Sequence, residues 1–271
     1  MTETAADTET SPGNRTVARD VVLRTDGLTK QFGGFTAVDS VDLAIGRGEF
    51  RSIIGPNGAG KTTLFNLISG AMTPTAGSIT LLGTDVTDDP PAARVAGGLA
   101  RSFQLTTVFT GLTVRENVRL ATQAATYDDL STLETFFAET ESLETITDRA
   151  ESVLDRIGLA ELAAAQASTL SYGDRRRLEL GLVLATDPEV VLLDEPTAGM
   201  SGEETLATIE LIEDVLAEKT LVLVEHDVDL VMRISDRITV LNGGSPITTG
   251  TPREVASNEA VQQAYLGGYD R

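Results

Sequence analysis

The chain of 271 residues contains no cysteine, which excludes disulfides and thiolate metal sites. It has a single histidine, His226. No apolar run approaches the roughly 18 residues of a membrane span. The first twenty residues are rich in Thr, Glu and Asp and lack the apolar segment of a signal peptide. They read as a disordered acidic tail. The expectation is a chain that stays in the cytoplasm and meets a membrane only through a partner. Basic residues are scarce, 21 Lys and Arg against 41 Asp and Glu, for a formal net charge of −20. Such a surface repels a phosphate backbone and argues against nucleic-acid binding. The acids are spread along the chain, as suits a protein kept soluble where salt screens charge within a few ångströms, and a halophilic source is expected. An apolar content of 41% at this length supports a substantial core, in one large domain or two small ones.

Against these absences stands one dense motif, Gly55-Pro56-Asn57-Gly58-Ala59-Gly60-Lys61-Thr62-Thr63. The run at 50–54 predicts a buried strand before it, and the apolar spacing of 64–70 predicts a short helix after it, ending at a glycine. Gly55, Gly58 and Gly60 let successive backbone N–H groups face one anion. The helix N-terminus adds partial positive charge. In this strand–turn–helix setting the pattern is a phosphate-binding loop, in which Lys61 reaches the β- and γ-phosphates and the Thr62 hydroxyl ligates Mg²⁺.

Around that loop, alternation at 21–28 and 41–45 predicts half-buried strands. Phe32, just after the first, is placed to stack on a purine or to serve as core. Residues 78–82 predict a strand, 91–97 a short helix, and 99–104 a strand bringing Gln104 to its C-terminal edge. On its own Gln104 reads as a loop residue. From 106 to 166 the pattern turns helical and acidic, beginning near Thr113 as N-cap. Phe136 and Phe137 in this stretch suit either a partner surface or a satellite core. Ser171 is an N-cap for a helix running to Asp187-Pro188, and its hydroxyl with the Gly173 amide offers donors to an anion. Arg175, Arg176 and Arg177 are a basic cluster or simply a solvated helix face. Residues 190–193 are a buried strand ending in Asp194 and Glu195, placed to hold Mg²⁺ and to orient or deprotonate a water, respectively. A second buried strand at 221–224 leads to His226, which is structural or a contact to a γ-phosphate. A short helix at 228–235, a hairpin over 238–249 and a last helix from 250 complete the reading.

In this order the motifs resemble the nucleotide-binding subunit of ABC transporters, from Val21 to about Gly268. The resemblance implies an α/β fold, a P-loop NTPase with a RecA-like core, an antiparallel β subdomain and an inserted α-helical subdomain. It divides the chain into a tail, 1–20, and one ATPase domain, 21–271, with the helical part at 105–175. It marks 55–63 as Walker A, 190–195 as Walker B and 170–174 as the signature sequence. Phe32 falls at the adenine-stacking aromatic, with Val38 beside it at the nucleotide, Gln104 at the Q-loop and His226 at the switch histidine. Catalysis is thereby implied for Glu195, His226 and Gln104, and metal contact for Thr62, Asp194 and Gln104. Two departures stand out: Asp174 where the signature usually ends in Gln, and Ala198-Gly199-Met200-Ser201 at the D-loop.

Residues 30–34, 170–173, 195–200 and 264–267 resemble the larger ATPase of the branched-chain amino acid uptake system, whose relatives also import urea and short-chain amides. The implied substrate is ATP with Mg²⁺. The implied partners are integral-membrane permeases, a second ATPase in a homo- or heterodimeric sandwich, and indirectly a solute-binding protein. Ser171 and Gly173 would close over the partner subunit's ATP. An exporter ATPase, a non-transport ABC switch and a P-loop kinase or GTPase are the competing classes.

Overall fold

The computed structural model describes residues 20–102, 108–126 and 135–266. Strands β1 (Val21–Phe32) and β2 (Phe35–Gly46) form an antiparallel hairpin turning at Gly33 and Gly34. Sequence alternation marks only the two outer ends of this hairpin. Register shifts between Thr25 and Leu28, Leu28 and Lys30, and Lys30 and Gln31 break the period-2 pattern in the middle, although the pairing continues to Phe32 and Phe35. With β4 (Ala76–Leu81) and β5 (Thr84–Asp85) they make a four-stranded antiparallel sheet in the order β2-β1-β4-β5.

The second sheet has six strands in the order β10-β9-β3-β8-β7-β6. Its members are β3 (Phe50–Ile54), β6 (Leu99–Ser102), β7 (Val190–Asp194), β8 (Thr220–Val224), β9 (Arg237–Asn242) and β10 (Ser245–Gly250). All neighbours are parallel except the terminal β9–β10 hairpin. The near-continuous apolar runs of β7 and β8 follow from burial on both faces. Val190, Leu192, Val222 and Val224 pack toward helix α1 (Lys61–Ile68) and the antiparallel sheet, while Val191, Leu193, Leu221 and Leu223 pack toward the helices on the opposite face. Thus α1 is clasped between the two sheets, with Leu64, Phe65, Leu67 and Ile68 wholly buried.

The opposite face is covered by α3 (Val114–Thr126), α4 (Thr135–Arg156), α5 (Tyr172–Ala185) and α6 (Gly202–Val215), which share one apolar cluster with β7 and β8. Thr113 caps α3 through reciprocal bonds with Glu116. Helix α6, which the sequence reading passed over, starts with a full capping box between Ser201 and Glu204. The expected single C-terminal helix is two, α8 (Pro252–Ala256) and α9 (Glu259–Leu266), because Asn258 turns its side chain to the Ala260 amide and starts a new helix. Helix α2 (Pro91–Ala96) precedes β6, and α7 (Val228–Ile234) follows β8. The expected tail at 1–20 lies outside the described residues but for Asp20, and Gln104 lies outside them as well.

Candidate nucleotide-binding site

The chain enters the glycine-rich loop from the C-terminal end of β3 and leaves it into α1. Both margins press on neighbouring backbone. A Cβ at Gly55 would lie 2.2 Å from the carbonyl oxygen of Leu241, and one at Gly60 would lie 2.4 Å from that of Ala37. Gly60 also has φ of 99°, so any side chain there is strained as well as crowded. Lys61 is buried, and its Nζ donates to the carbonyl oxygens of Gly55 and Pro56 at 2.7 and 3.2 Å. Burial lowers its pKa, an effect that the negative charge of Glu195 opposes. An anion entering the loop would replace these neutral acceptors with charged oxygens, which favours the ammonium form.

A cavity of about 310 Å³ opens over the loop, lined by Phe35, Ala37, residues 57–63, Glu195 and His226. Strands β7 and β8 bring the last two together. Glu195 follows Asp194 at the end of β7 in a left-handed conformation, φ 47°, and its N–H donates to Val224 O at 2.9 Å. That conformation is uncommon for a residue with a side chain. It directs the carboxylate to His226, whose Nε2 lies 2.8 Å from Glu195 Oε1. The pair is held from beneath by Glu225, which the sequence reading did not single out. Its buried carboxylate accepts from Thr197 N and Oγ1 at 3.1 and 2.6 Å and from His226 N at 3.1 Å. A carboxylate directly after the apolar run at 221–224 was the available signal.

Asp194 points to the α1 side and is paired with Arg101 Nη2 at 2.7 Å, the two side chains being 10% and 13% exposed in the order Arg101, Asp194. The Thr62 side chain is exposed at the start of α1. Among the described residues no group of three or more His, Cys, Asp or Glu converges on one point. One hydroxyl and one carboxylate, both hard oxygen donors, suit Mg²⁺, which keeps several waters and takes further ligands from phosphate.

Phe32 ends β1, about half exposed, with Lys30 Nζ 5.5 Å from its ring centroid. Its cross-strand partner Phe35 is the aromatic that lines the cavity. Val38 is 1% exposed and packs in the core between the sheets, while the adjoining Ala37 carbonyl borders Gly60. Ser171 and Gly173, at the exposed N-terminus of α5, are not among the residues lining this cavity. Ser171 caps the helix, accepting from Asp174 N at 3.2 Å, and its hydroxyl donates to Asp174 Oδ2 at 2.6 Å. Arg176 bonds Glu179 and the carbonyl of Pro196, tying this helix to the turn after Glu195.

Comparison with known proteins agrees with this geometry. Residues 38–198 match the ABC transporter family model, and 245–271 match the model of the branched-chain amino acid ATP-binding cassette transporter. The chain is 43% identical over 253 residues to the high-affinity branched-chain amino acid transport ATP-binding protein LivG of Salmonella typhimurium, covering 91% of this chain and 98% of LivG. The ADP conformation of the ATP-binding cassette MJ1267 superposes with a TM-score of 0.75 at 30% identity, covering 91% of this chain and 99% of that one. A dimeric post-hydrolysis cassette, MJ0796 bound to ADP and phosphate, superposes with a TM-score of 0.65 at 26% identity, covering 85% and 99%. The chain belongs to the ABC transporter family, as an ATP-hydrolysing cassette of its branched-chain amino acid branch.

Proposed function

We propose that this chain is the ATPase subunit that powers uptake of branched-chain amino acids, working at the cytoplasmic face of a membrane through permease subunits. The observation that carries the catalytic part is the Glu195–His226 contact in the wall of the cavity over the phosphate loop. The solute is supported by the family match at 245–271 and the likeness to LivG. No helix among the described residues is long and apolar enough to cross a membrane.

In this reading the backbone of 55–60 and Lys61 hold the phosphates, and Phe32, with Phe35 nearby, flanks the base. Thr62 and Asp194 hold Mg²⁺, which when bound neutralises charge on the phosphates. Glu195 orients the attacking water and accepts its proton, and His226 fixes the carboxylate and faces the γ-phosphate. Ser171 and Gly173 close over the nucleotide of a second ATPase, as in a dimeric cassette, and hydrolysis releases the pair. Gln104 reports metal occupancy to the permease. A solute-binding protein delivers the amino acid on the far side.

The test is purification of the tagged protein from native membranes, identification of co-purifying chains by mass, and reconstitution for uptake of labelled leucine. ATP-dependent leucine uptake, lost in Glu195→Gln, supports the reading. Uptake of urea or short amides instead, export, or recovery with soluble partners alone overturns it.

A further inference from the structure

Arg101 lies on β6, beside the strand that ends in Asp194. Its side chain reaches across to the C-terminal half of α1, the helix that follows the phosphate loop. Arg101 Nη2 donates to Asp194 Oδ2 at 2.7 Å, and Nη1 donates to Asn66 Oδ1 at 2.7 Å and Ser69 Oγ at 3.0 Å. The guanidinium carbon stands 5.9 Å from the centroid of the fully buried Phe65. Asn66, Ser69 and Phe65 all belong to α1 or its C-cap, so one side chain joins the metal-binding strand to the helix that follows the phosphate loop.

The position follows from the pleat. Leu99 and Arg101 share the α1 face of β6, as Val190, Leu192 and Asp194 share that face of β7. A carboxylate 13% exposed in such surroundings requires a counter-charge, since burial strips a lone ion of the water that would solvate it. Mg²⁺ requires the same carboxylate. Two cations therefore address one carboxylate, and a guanidinium bond to Oδ2 occupies lone pairs that the metal or its water would otherwise take.

We propose that Arg101 is a positioning residue that stands in for Mg²⁺ at Asp194: it neutralises the carboxylate before nucleotide arrives and yields it when metal enters with ATP. The proposal rests on the reading of Asp194 as a metal-binding residue. Its consequence is a weaker linkage between metal and nucleotide than a bare carboxylate would give. Metal-free ATP then meets a neutralised pair rather than an opposing charge, and Mg²⁺ must displace Arg101 before it gains Asp194.

The discriminating quantity is the ratio of the dissociation constant of the β,γ-imido ATP analogue in EDTA to that in Mg²⁺, measured by titration calorimetry. For Arg101→Met the ratio should rise about tenfold over wild type, because metal-free affinity falls while metal-bound affinity holds or improves. Arg101→Lys, which keeps the charge, should stay within about threefold of wild type. Mg²⁺ alone should also raise the melting temperature of Arg101→Met more than that of wild type. A merely structural role would weaken both constants equally and leave the ratio unchanged. A ratio that falls would mean that Arg101 orients Asp194 in the metal-bound state. Either result overturns the proposal. Should Arg101→Met not fold, Arg101→Gln carries the same comparison with the hydrogen bond retained. Asp194→Asn is the control for the underlying reading: its ratio should approach one, and a wild-type ratio there would remove Asp194 as the metal-binding residue and the proposal with it.

Discussion

His226 Nε2 stands 2.8 Å from Glu195 Oε1, the two residues arriving from adjacent parallel strands just beyond their C-terminal ends. Because the imidazole holds the carboxylate over the phosphate loop, the two should behave as one unit. Glu195→Gln should lower kcat by about 10²–10⁴ while ATP affinity changes only a few-fold. His226→Ala should lower kcat by a comparable factor, and the double variant should be little worse than the poorer single one. Phosphate release and nucleotide titration measure these directly. Wild-type-like hydrolysis by Glu195→Gln would remove it as the base.

Among the described residues Arg94 is the largest fully buried side chain, and its guanidinium serves the end of α1 rather than a carboxylate. Nη1 donates to the carbonyl oxygens of Leu67 and Ile68 at 2.6 and 2.7 Å, Nη2 to Thr87 O at 2.9 Å and Nε to Asp89 O at 3.1 Å. Arg94→Met would keep much of the volume and orphan several of these acceptors. A loss of about 3–5 kcal/mol is expected, read as a drop in the urea midpoint at unchanged slope.

Acid stability is set in part by three helix starts. Glu116, Glu204 and Glu254 each accept from the backbone N–H and hydroxyl of their cap, Thr113, Ser201 and Thr251, and these bonds lower their pKa below the usual 4.5. A carboxylate with a depressed folded-state pKa adds stability above its unfolded value, lost as pH falls through the folded value. Denaturation midpoints should therefore decline below about pH 4.5, and the triple Glu→Gln variant should show a flatter decline. An unchanged slope would mean that other carboxylates govern acid unfolding.

The phosphate loop was legible because its chemistry is local: nine consecutive residues, flanked by recognisable strand and helix, carry it. The buried strands at 190–194 and 220–224 were legible as apolar runs, and their acidic and histidine ends followed. The β1–β2 hairpin was only half legible, since bulges shift which residues face inward. Arg94 and Arg101 were invisible, and Glu225 showed only as an acid at the end of an apolar run. Each is a charged residue whose partners lie 27, 93 and 28 positions away, at Leu67, Asp194 and Thr197. Sequence pattern places such residues on the surface, and only the tertiary fold brings their partners to them. Asp194 shows the same limit, for its expected metal role carried no hint that a cation of the chain already sits against it.

A net charge of −20 on a chain of 271 residues favours unfolding at low ionic strength through self-repulsion. The melting temperature should climb with KCl, and the purified chain should lose its fold below about 0.5 M if its composition reflects a high-salt environment. Full stability at 0.05 M KCl would leave the acidity as a matter of solubility alone. Circular dichroism across a KCl series decides it.

Asp174 stands where its carboxylate accepts the Ser171 hydroxyl at 2.6 Å, and Ser171 is the side chain proposed to meet the second subunit's γ-phosphate. Closure of the dimer would bring that phosphate toward a half-buried carboxylate and a hydroxyl that already has an acceptor. Asp174→Asn removes the charge and keeps a side chain able to bond Ser171. In a Glu195→Gln background, ATP should then drive dimerisation at concentrations about 3–10-fold lower, as followed by sedimentation. The gain should be largest near 0.1 M salt and shrink toward 1 M, where the screening length falls to about 3 Å. A gain of equal size at both salts would trace instead to the helix cap, and no gain at either would mean that Asp174 does not face the phosphate.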